Sequence, residues 1–128
     1  MNVDRLSDAL NAIKVNEMVG KKDCKVPATK LVRKVLEIFQ AHGYIKAFSD
    51  VEEENTLFFM IELDGRINNC GTIKPRAPVK RSEWAKTEQK YIPAIGIGVL
   101  VVSTPNGIIT NAEAQEAKIG GRLIAYVY

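Results

Sequence analysis

The stretch VVSTPNGIIT, residues 101–110, predicts a β-hairpin near the C-terminus and places β-structure in that half of the fold. β-branched and apolar residues favour strands on both sides, and the Pro-Asn-Gly sequence between them favours a tight turn. Ser103 and Thr104 end the first strand, and Gly107 permits a close approach of the backbone. Such hydroxyls and exposed amides suit phosphate and base-edge acceptors, although turn formation alone also accounts for them.

The residues after the hairpin predict a short helix and a terminal strand. Thr110 and Glu113 have the spacing of a capping box at the start of that helix. The pair Gly120-Gly121 ends the helix, and the last seven residues predict a strand that begins at Arg122. Because the glycine pair and the two hydroxyls both lie at strand ends, they are candidates for one shared surface.

Two helices are predicted in the N-terminal half, where apolar residues recur at helical spacing over 4–20 and 29–43. Thr29 is the expected N-cap of the second helix, and Gly43 stands where a left-handed residue ends a helix. His42 is expected to cap that end or to face solvent.

Strands are predicted around these helices, giving the order α-β-α-β-β. The acidic turn EEEN separates two of them, which we expect to pair antiparallel. Asp64-Gly65 is a hairpin signal, so RINNCGTI predicts a further strand that continues the same sheet. The four segments are residues 24–28, 45–51, 56–63 and 66–73.

A basic link, residues 74–92, is predicted between an N-terminal α/β subdomain, 1–73, and a C-terminal β-rich subdomain, 74–128. It contains prolines and a short predicted helix. Trp84 and Tyr91 flank its lysine-rich part, an arrangement that suits stacking on nucleotides. Packing of Trp84 against the neighbouring subdomain is the alternative.

Charge is unevenly distributed along the 128 residues, although the net charge is only +3. Residues 1–34 hold eight basic and four acidic side chains, residues 74–90 hold six and two, and residues 50–64 hold six acids without a base. Segregated lysines and arginines favour a polyanion such as nucleic acid, because they displace counterions from phosphates. Solvated basic faces of an ordinary protein are the alternative.

The residue types do not predict an enzyme, a metal site or a membrane protein. There is one histidine, His42, and the two cysteines, Cys24 and Cys70, lack the spacing of metal ligands, so we expect reduced cytosolic thiols. No glycine-rich phosphate loop is present, and apolar runs fall short of the ~20 residues that span a membrane. A hydrolase using an acid pair from residues 50–64 is the enzymatic alternative.

Together these residues resemble universal small-subunit ribosomal protein eight, in its archaeal and eukaryotic form, over essentially the whole chain. Each fragment is weak alone, but their order and spacing are specific. The resemblance rests on Asp8-Ala9-Leu10, Gly20-Lys21-Lys22, Pro27-Ala28-Thr29-Lys30-Leu31, His42-Gly43-Tyr44-Ile45, Gly65-Arg66-Ile67-Asn68, Cys70-Gly71, Lys74-Pro75-Arg76, Ser103-Thr104 with Gly107, and Gly120-Gly121-Arg122-Leu123.

The resemblance implies an α+β protein of two packed subdomains, the first α-β-α-β-β and the second mainly antiparallel β with one short helix. It implies a structural component of the small ribosomal subunit in the cytoplasm, without enzymatic activity or cofactor, and a monomer when free. The implied partners are an irregular helix in the central domain of small-subunit RNA, where the protein helps to organise the platform, and neighbouring small-subunit proteins.

The resemblance also implies which residues contact RNA. The hydroxyl-bearing turn enters the minor groove, and Lys30 at the start of a helix meets the backbone. Pro105 stands where relatives usually carry Ser or Thr, which removes a hydroxyl and an amide N–H, and Asn106 is the candidate to replace that contact. The implied RNA-binding residues are Ser103, Thr104, Asn106, Gly107, Gly120, Gly121, Arg122, Thr29, Lys30, Lys21, Lys22, Lys74 and Arg76.

A second departure and a second role concern other parts of the chain. Lys14-Val15 replaces two asparagines that relatives commonly carry, so a contact made by those asparagines is not expected here.

The acidic stretch from Asp50 to Asp64 could instead face basic neighbouring proteins, which is a protein-binding role distinct from RNA binding.

Overall fold

The chain folds into two compact units, Met1–Gly71 and Thr72–Tyr128. The structure is a computed structural model, and it describes residues 5–74, 76–93 and 97–128. Pro75, which belongs to the predicted link, lies outside the described residues. In the described ranges no helix is long and apolar enough to cross a membrane.

The first unit has the predicted order of elements, α-β-α-β-β. Its three strands form an antiparallel sheet in which β3 lies between β1 and β2. Its elements are α1, Arg5–Met18; β1, Asp23–Pro27; α2, Lys30–Ala41; β2, Ile45–Glu53; and β3, Thr56–Leu63.

Both predicted helices of this unit are confirmed, and each buries the apolar stripe that its sequence carries. The hydroxyl oxygen of Thr29 accepts the N–H of Val32 at 3.1 Å, which satisfies an otherwise orphaned donor of α2. Gly43 follows α2 with φ +78°, a conformation that glycine adopts without a steric cost. The buried residues are Leu6, Ala9, Leu10 and Ile13 of α1, and Val32, Val35, Leu36 and Phe39 of α2.

The turn between β2 and β3 is shorter than the predicted EEEN loop. β2 continues through Glu53, and Glu54-Asn55 alone makes the turn, with φ of 49° and 63°. Positive φ at both central residues is the geometry whose twist matches a two-residue antiparallel hairpin. Glu52 and Glu53 are therefore strand residues.

The second unit has a five-stranded sheet of order β4-β8-β6-β7, with β5 also paired to β8. The predicted β-turn-β-α-β order of the C-terminal half is confirmed as β6, β7, α4 and β8. Its first strand, β4, Cys70–Thr72, begins in the last two residues of the first unit. The other elements are β5, Pro78–Val79; α3, Trp84–Tyr91; β6, Val99–Thr104; β7, Gly107–Thr110; α4, Asn111–Glu116; and β8, Gly121–Val127.

The prediction that the strand after Asp64-Gly65 continues the first sheet is wrong. That strand, β4, belongs to the second sheet, and Ile73 directly after it donates its N–H to the carbonyl of Ile124 at 2.9 Å. Before β4, the carboxylate of Glu17 on α1 accepts the N–H groups of Gly65 at 3.3 Å and Ile67 at 2.9 Å. These bonds use the N–H groups of Gly65 and Ile67, so neither group is available to a hairpin ladder with β3.

Trp84 lies in the core of the second unit, so its proposed stacking on nucleotides is wrong. Its side chain is 2% exposed and its indole N–H donates to the carbonyl of Ile119 at 3.0 Å. A buried indole needs such a partner for its single donor. Tyr91 is half-buried and stacks on Tyr126 of β8, with ring centroids 6.4 Å apart.

The N-cap predicted for α4 at Thr110 is present, but the Glu113 carboxylate bonds to the Thr110 hydroxyl and not to its backbone N–H as in a complete capping box. Thr110 accepts the N–H of Glu113 at its hydroxyl oxygen and donates its hydroxyl to the Glu113 carboxylate, both at 3.2 Å. Next to it, the buried side chain of Asn111 accepts the N–H of Leu100 at 3.1 Å. That bond continues the β6 ladder past the end of β7, because the β6–β7 register ends with Val101 opposite Thr110.

Candidate nucleic-acid interface

The β6–β7 hairpin closes with Thr104 opposite Gly107, so Pro105 and Asn106 are its two central residues. The Thr104 hydroxyl donates to the carbonyl of Gly107 at 2.8 Å and accepts the N–H of Asn106 at 3.1 Å. Gly107 has φ +104°, which disfavours any side chain there. The predicted turn is confirmed, and a threonine hydroxyl holds its shape.

Ser103 differs from Thr104, although the sequence suggests equivalent roles for the two hydroxyls. The Ser103 side chain is exposed. No hydrogen bond joins its hydroxyl to any other part of the chain that the structure describes. Ser103 therefore offers a donor and an acceptor to a partner, whereas Thr104 uses its hydroxyl within the turn.

Pro105 fits this turn without loss of an internal hydrogen bond. Its ring fixes φ at the value that the second position of a type I turn requires. The two bonds that hold the turn use the hydroxyl of Thr104, the carbonyl of Gly107 and the N–H of Asn106, so an amide N–H at position 105 is not needed. Proline removes one donor toward a ligand and stiffens the loop that remains.

Gly121 packs directly against the hairpin, and Gly120 packs against β5. A Cβ atom at Gly121 would lie 2.7 Å from the carbonyl oxygen of Ser103 and 2.9 Å from Cγ2 of Thr104, distances that real Cβ atoms essentially never show. A Cβ atom at Gly120 would collide with the carbonyl oxygen of Val79. Both glycines are therefore required by close backbone approach, and the two predicted pieces form one surface.

Arg122 extends that surface toward the segment before β5. It pairs with Ser103 on one side and with Pro78 on the other, and its side chain is exposed. Its Nη1 atom donates to the carbonyl of Arg76 at 3.4 Å, which brings Arg76 beside it. Lys74 is exposed directly after the buried Ile73. The predicted residues of this unit thus combine a hydroxyl-bearing turn with arginines.

The predicted residues of the first unit lie at two places. Thr29 uses its hydroxyl oxygen to cap α2, and Lys30 is the exposed first residue of that helix. Lys21 and Lys22 follow α1 and line a cleft of about 640 Å³ together with Lys46. The cleft is also lined by four acids, Glu17, Asp23, Glu62 and Asp64, so its charge is mixed.

Two basic residues of the first 34 are paired with the acidic stretch. Lys25 lies 2.6 Å from the carboxylate of Glu53, and Nη2 of Arg33 lies 2.8 and 3.1 Å from the two oxygens of Asp50. Lys30 forms no ion pair with another described residue. The sequence totals therefore overstate the positive charge that this unit offers to a polyanion, and they overstate its acidic charge equally.

Burial makes both cysteines poor nucleophiles. Desolvation raises the pKa of the Cys70 thiol from 9.0 to about 12, and it raises the pKa of Cys24 as well. The reactive form of cysteine is the thiolate, which is scarce at neutral pH under these conditions. His42 is exposed at the end of α2. Across the described ranges no three metal-ligating side chains cluster.

The family described as ribosomal protein S8 matches residues 4–128, nearly the whole chain. The chain belongs to the ribosomal protein S8 family. A relative from Archaeoglobus fulgidus, the small ribosomal subunit protein uS8, is 45% identical over 129 residues, which cover 100% of both chains. As an S8-family member the chain is a structural ribosomal protein and not an enzyme, so the resemblance seen in its sequence is confirmed.

Two exposed lysines of this S8-family protein are not among the RNA-binding residues predicted from the sequence. Lys86 and Lys90 of α3 line a groove against β5 in the second unit. Their spacing of four residues was a signal that they share one helix face. The predicted role of this segment was a basic link, with its aromatic residues as the candidates for contact with nucleotides.

Proposed function

We propose that this S8-family protein binds small-subunit ribosomal RNA at an irregular helix of the central domain, and thereby helps to organise the platform of the small subunit. The observation that carries the proposal is the contact of Gly121 with the backbone of Ser103, which joins the hairpin and the glycine pair in one surface. That surface presents a hydroxyl, exposed backbone and Arg122 together.

Recognition rests on different chemistry at different residues. The exposed hydroxyl of Ser103 can both donate and accept, which suits the 2′-hydroxyls and base edges displayed in the wide minor groove of RNA. Thr104 and Gly107 give the turn its shape, and the side-chain amide of Asn106 lies at the edge of the proposed RNA contact. Arg122 contributes a planar cation suited to phosphate.

Basic residues outside the hairpin contribute affinity without sequence information. Lys30 stands at the capped start of α2, where helix amides and an unpaired cation favour a phosphate. Arg76 beside Arg122 and the exposed Lys74 extend the contact in the second unit. Lys21 and Lys22 make a smaller contribution, because the four acids in their cleft reduce the local positive potential.

Contacts with neighbouring ribosomal proteins are assigned to the tip of the β2–β3 hairpin. Glu52 and Glu54 are exposed there, and neither forms an ion pair with another described residue. Leu57 beside them is 46% exposed, which adds an apolar element. An acidic tip of this kind suits the basic surfaces of ribosomal proteins. The free protein is proposed to be a monomer and its location the ribosome in the cytoplasm.

Binding to a short RNA carrying the irregular helix, compared with an unrelated hairpin of equal length, tests the proposal. The comparison is made between about 50 and 200 mM salt, because nonspecific phosphate contacts weaken steeply over that range. We expect a preference for the cognate helix that persists as salt rises. Ser103→Ala should reduce that preference by about 1–3 kcal/mol through the loss of its polar contact.

Ser49→Ala is the matched control, because Ser49 is also an exposed serine on a strand but lies on β2. It should leave RNA binding unchanged. Equal affinity for the two RNAs at every salt concentration would contradict the proposal. A loss of preference in both variants would show that the effect is not specific to the hairpin.

A further inference from the structure

The sheet of the first unit has two edge strands, and they differ in how open they are to a further strand. Within the described residues, β1 and β2 each pair only with the central strand β3. β1 has five residues and β2 has nine. Because an unpaired edge presents a row of N–H and C=O groups, it is a template for pairing with another chain. The longer template of this unit is β2.

Two backbone bonds show which groups of β3 face each neighbour. The N–H of Leu63 donates to the carbonyl of Lys22 at 2.8 Å, and the N–H of Ala28 donates to the carbonyl of Leu57 at 3.3 Å. Backbone groups of successive residues in an antiparallel strand alternate between its two neighbours. The odd-numbered residues of β3 therefore bond to β1, and the even-numbered ones bond to β2.

Alternate residues of β2 turn their backbone groups away from the sheet. The even-numbered residues of β3 lie opposite Ser49 and Val51, so these two residues bond to β3. The N–H and C=O groups of Phe48, Asp50 and Glu52 therefore point outward, and no backbone group of another described residue bonds to them. Asp50 and Glu52 are also exposed. Three successive outward positions thus form an open edge.

The outward positions of β1 are protected by their residue types. They are Asp23, Lys25 and Pro27, because Lys22 and Ala28 on either side bond to β3. Proline has no N–H to offer a further strand. Lysine and proline are common protections of an edge against strand addition. The outward positions of β2 from 48 to 52 contain neither residue type, so only β2 has an edge of this length without that protection among the described strands of this unit.

Charge at the open edge favours a basic occupant. Asp50 is paired with Arg33, whereas Glu52 and Glu54 are exposed and form no ion pair with another described residue. Two copies of β2 paired antiparallel about Asp50 or Glu52 would bring like charges face to face, which is destabilising. A cation opposite Glu52 would be attracted instead. Charge complementarity therefore favours an extended basic segment of another protein over a second copy of this chain.

We propose that β2 accepts an extended basic segment of a neighbouring protein as a fourth strand of this sheet. The segment bonds to the outward N–H and C=O groups of Phe48, Asp50 and Glu52. The inference rests on the protein-contact role proposed for the β2–β3 hairpin and gives its mode of recognition. Main-chain bonds supply affinity, and side chains at alternate positions supply specificity. The segment carries a cation opposite Glu52, because directly opposite residues of paired strands share a face.

The test measures binding of the full chain to a synthetic nine-residue peptide, the length of β2, in which lysine and threonine alternate. The same peptide N-methylated at every lysine is its control, because it lacks the donors that face the strand. Amide exchange at Phe48, Asp50 and Glu52 should slow with the unmethylated peptide alone. Ser49 and Val51 are already bonded to β3 and should change little. Peptide binding without protection of the three outward amides would overturn the inference.

Two substitutions at one position separate backbone recognition from charge. Glu52→Gln removes the carboxylate and should weaken peptide binding about threefold. Glu52→Pro also removes the outward N–H and should weaken binding by about a further tenfold. Asp23→Pro is the matched control, since it replaces an acid by proline at the first residue of the other edge strand, and it should change affinity less than about twofold. Equal weakening by Glu52→Gln and Glu52→Pro would overturn strand addition.

The remaining outcomes distinguish the occupants and the proposals. Self-association of the protein without peptide, lost in Glu52→Pro, would make a second copy the occupant and overturn the inference. Unchanged peptide binding by Glu52→Gln, with the proline variant still weakened, would contradict the contact role proposed for the acidic tip and support strand addition. The preference for the cognate RNA is measured without peptide, so its absence would contradict the proposed RNA binding and leave the result for β2 intact.

Discussion

Gly121 and Ser103 approach so closely that a Cβ atom on the glycine would lie 2.7 Å from the serine carbonyl oxygen. The start of β8 and the end of β6 therefore meet backbone to backbone, and this contact fixes where the exposed Ser103 hydroxyl is displayed. A small residue at position 121 is thus a requirement of the candidate interface as well as of the sheet.

Gly121→Ala should destabilise the protein by about 1–3 kcal/mol and weaken cognate RNA binding, because the new methyl group must displace the end of β6. Urea unfolding and RNA titration measure the two effects. Gly65→Ala is the control, since Gly65 has open space around it and φ +69°, so it should lower stability by about 1 kcal/mol without changing RNA binding. Unaltered RNA binding by Gly121→Ala would contradict the proposed link between the close approach at Gly121 and the RNA-binding surface.

Thr104→Val should destabilise the hairpin and weaken RNA binding, whereas Thr104→Ser should do neither to a comparable extent. Valine has nearly the shape of threonine but cannot bond to Gly107 and Asn106, each bond contributing about 1 kcal/mol. Serine keeps the hydroxyl. Hydrogen exchange at the Asn106 amide should accelerate in the valine variant alone. Equal exchange in both variants would show that the hydroxyl does not hold the turn.

Thr29→Ala should lower the free energy of unfolding by about 1 kcal/mol through the loss of the α2 cap, and Thr29→Ser should restore most of it. Lys30→Gln should leave stability within about 0.5 kcal/mol of the unaltered protein. It should instead reduce the salt slope of RNA binding by about 1. Denaturant unfolding and a salt series separate the two residues, and an unchanged salt slope for Lys30→Gln would remove it from the interface.

Cys70 should make stability fall at alkaline pH. Its pKa is about 12 in the folded protein and near 9.0 when exposed, so the unfolded chain loses the thiol proton first. The stabilising contribution is present below pH 9 and is lost as pH rises toward 12. Urea unfolding between pH 7 and pH 11 should show a steeper decline for the unaltered protein than for Cys70→Ala. Parallel declines would contradict this assignment.

Local signals in the sequence predicted much of the fold. The α2 helix follows from its apolar spacing, the Thr29 cap and Gly43, all of which act within a few residues. The partner of β4 could not be predicted, because β4 pairs with β8, which lies at the far end of the sequence. Glu17 also bonds to Gly65 and Ile67, which follow it by 48 and 50 residues, and contacts over such separations leave no local pattern in the sequence.

The candidate site, like the fold, was predicted only in part, because some of its features depend on contacts between residues far apart in the chain. Residue types indicated the hairpin and the glycine pair, and the resemblance assigned them a role. The different uses of the Ser103 and Thr104 hydroxyls depend on side-chain geometry that residue types do not contain. The burial of Trp84 and the pairing of Lys25 with Glu53 likewise arise from distant parts of the chain, so charge and aromatic counts alone misjudged them.

The turn held by Thr104 and stiffened by Pro105 has a consequence for the kinetics of association. A loop held in one shape by internal hydrogen bonds should need no slow ordering step after encounter, so we expect its variants to associate with RNA at similar rates. Differences in affinity among them should then appear mainly as differences in residence time, which is the usual outcome for mutants of a single interface. In the proposed complex we expect long-range attraction by the lysines to set the association rate and the stiff turn to set the residence time.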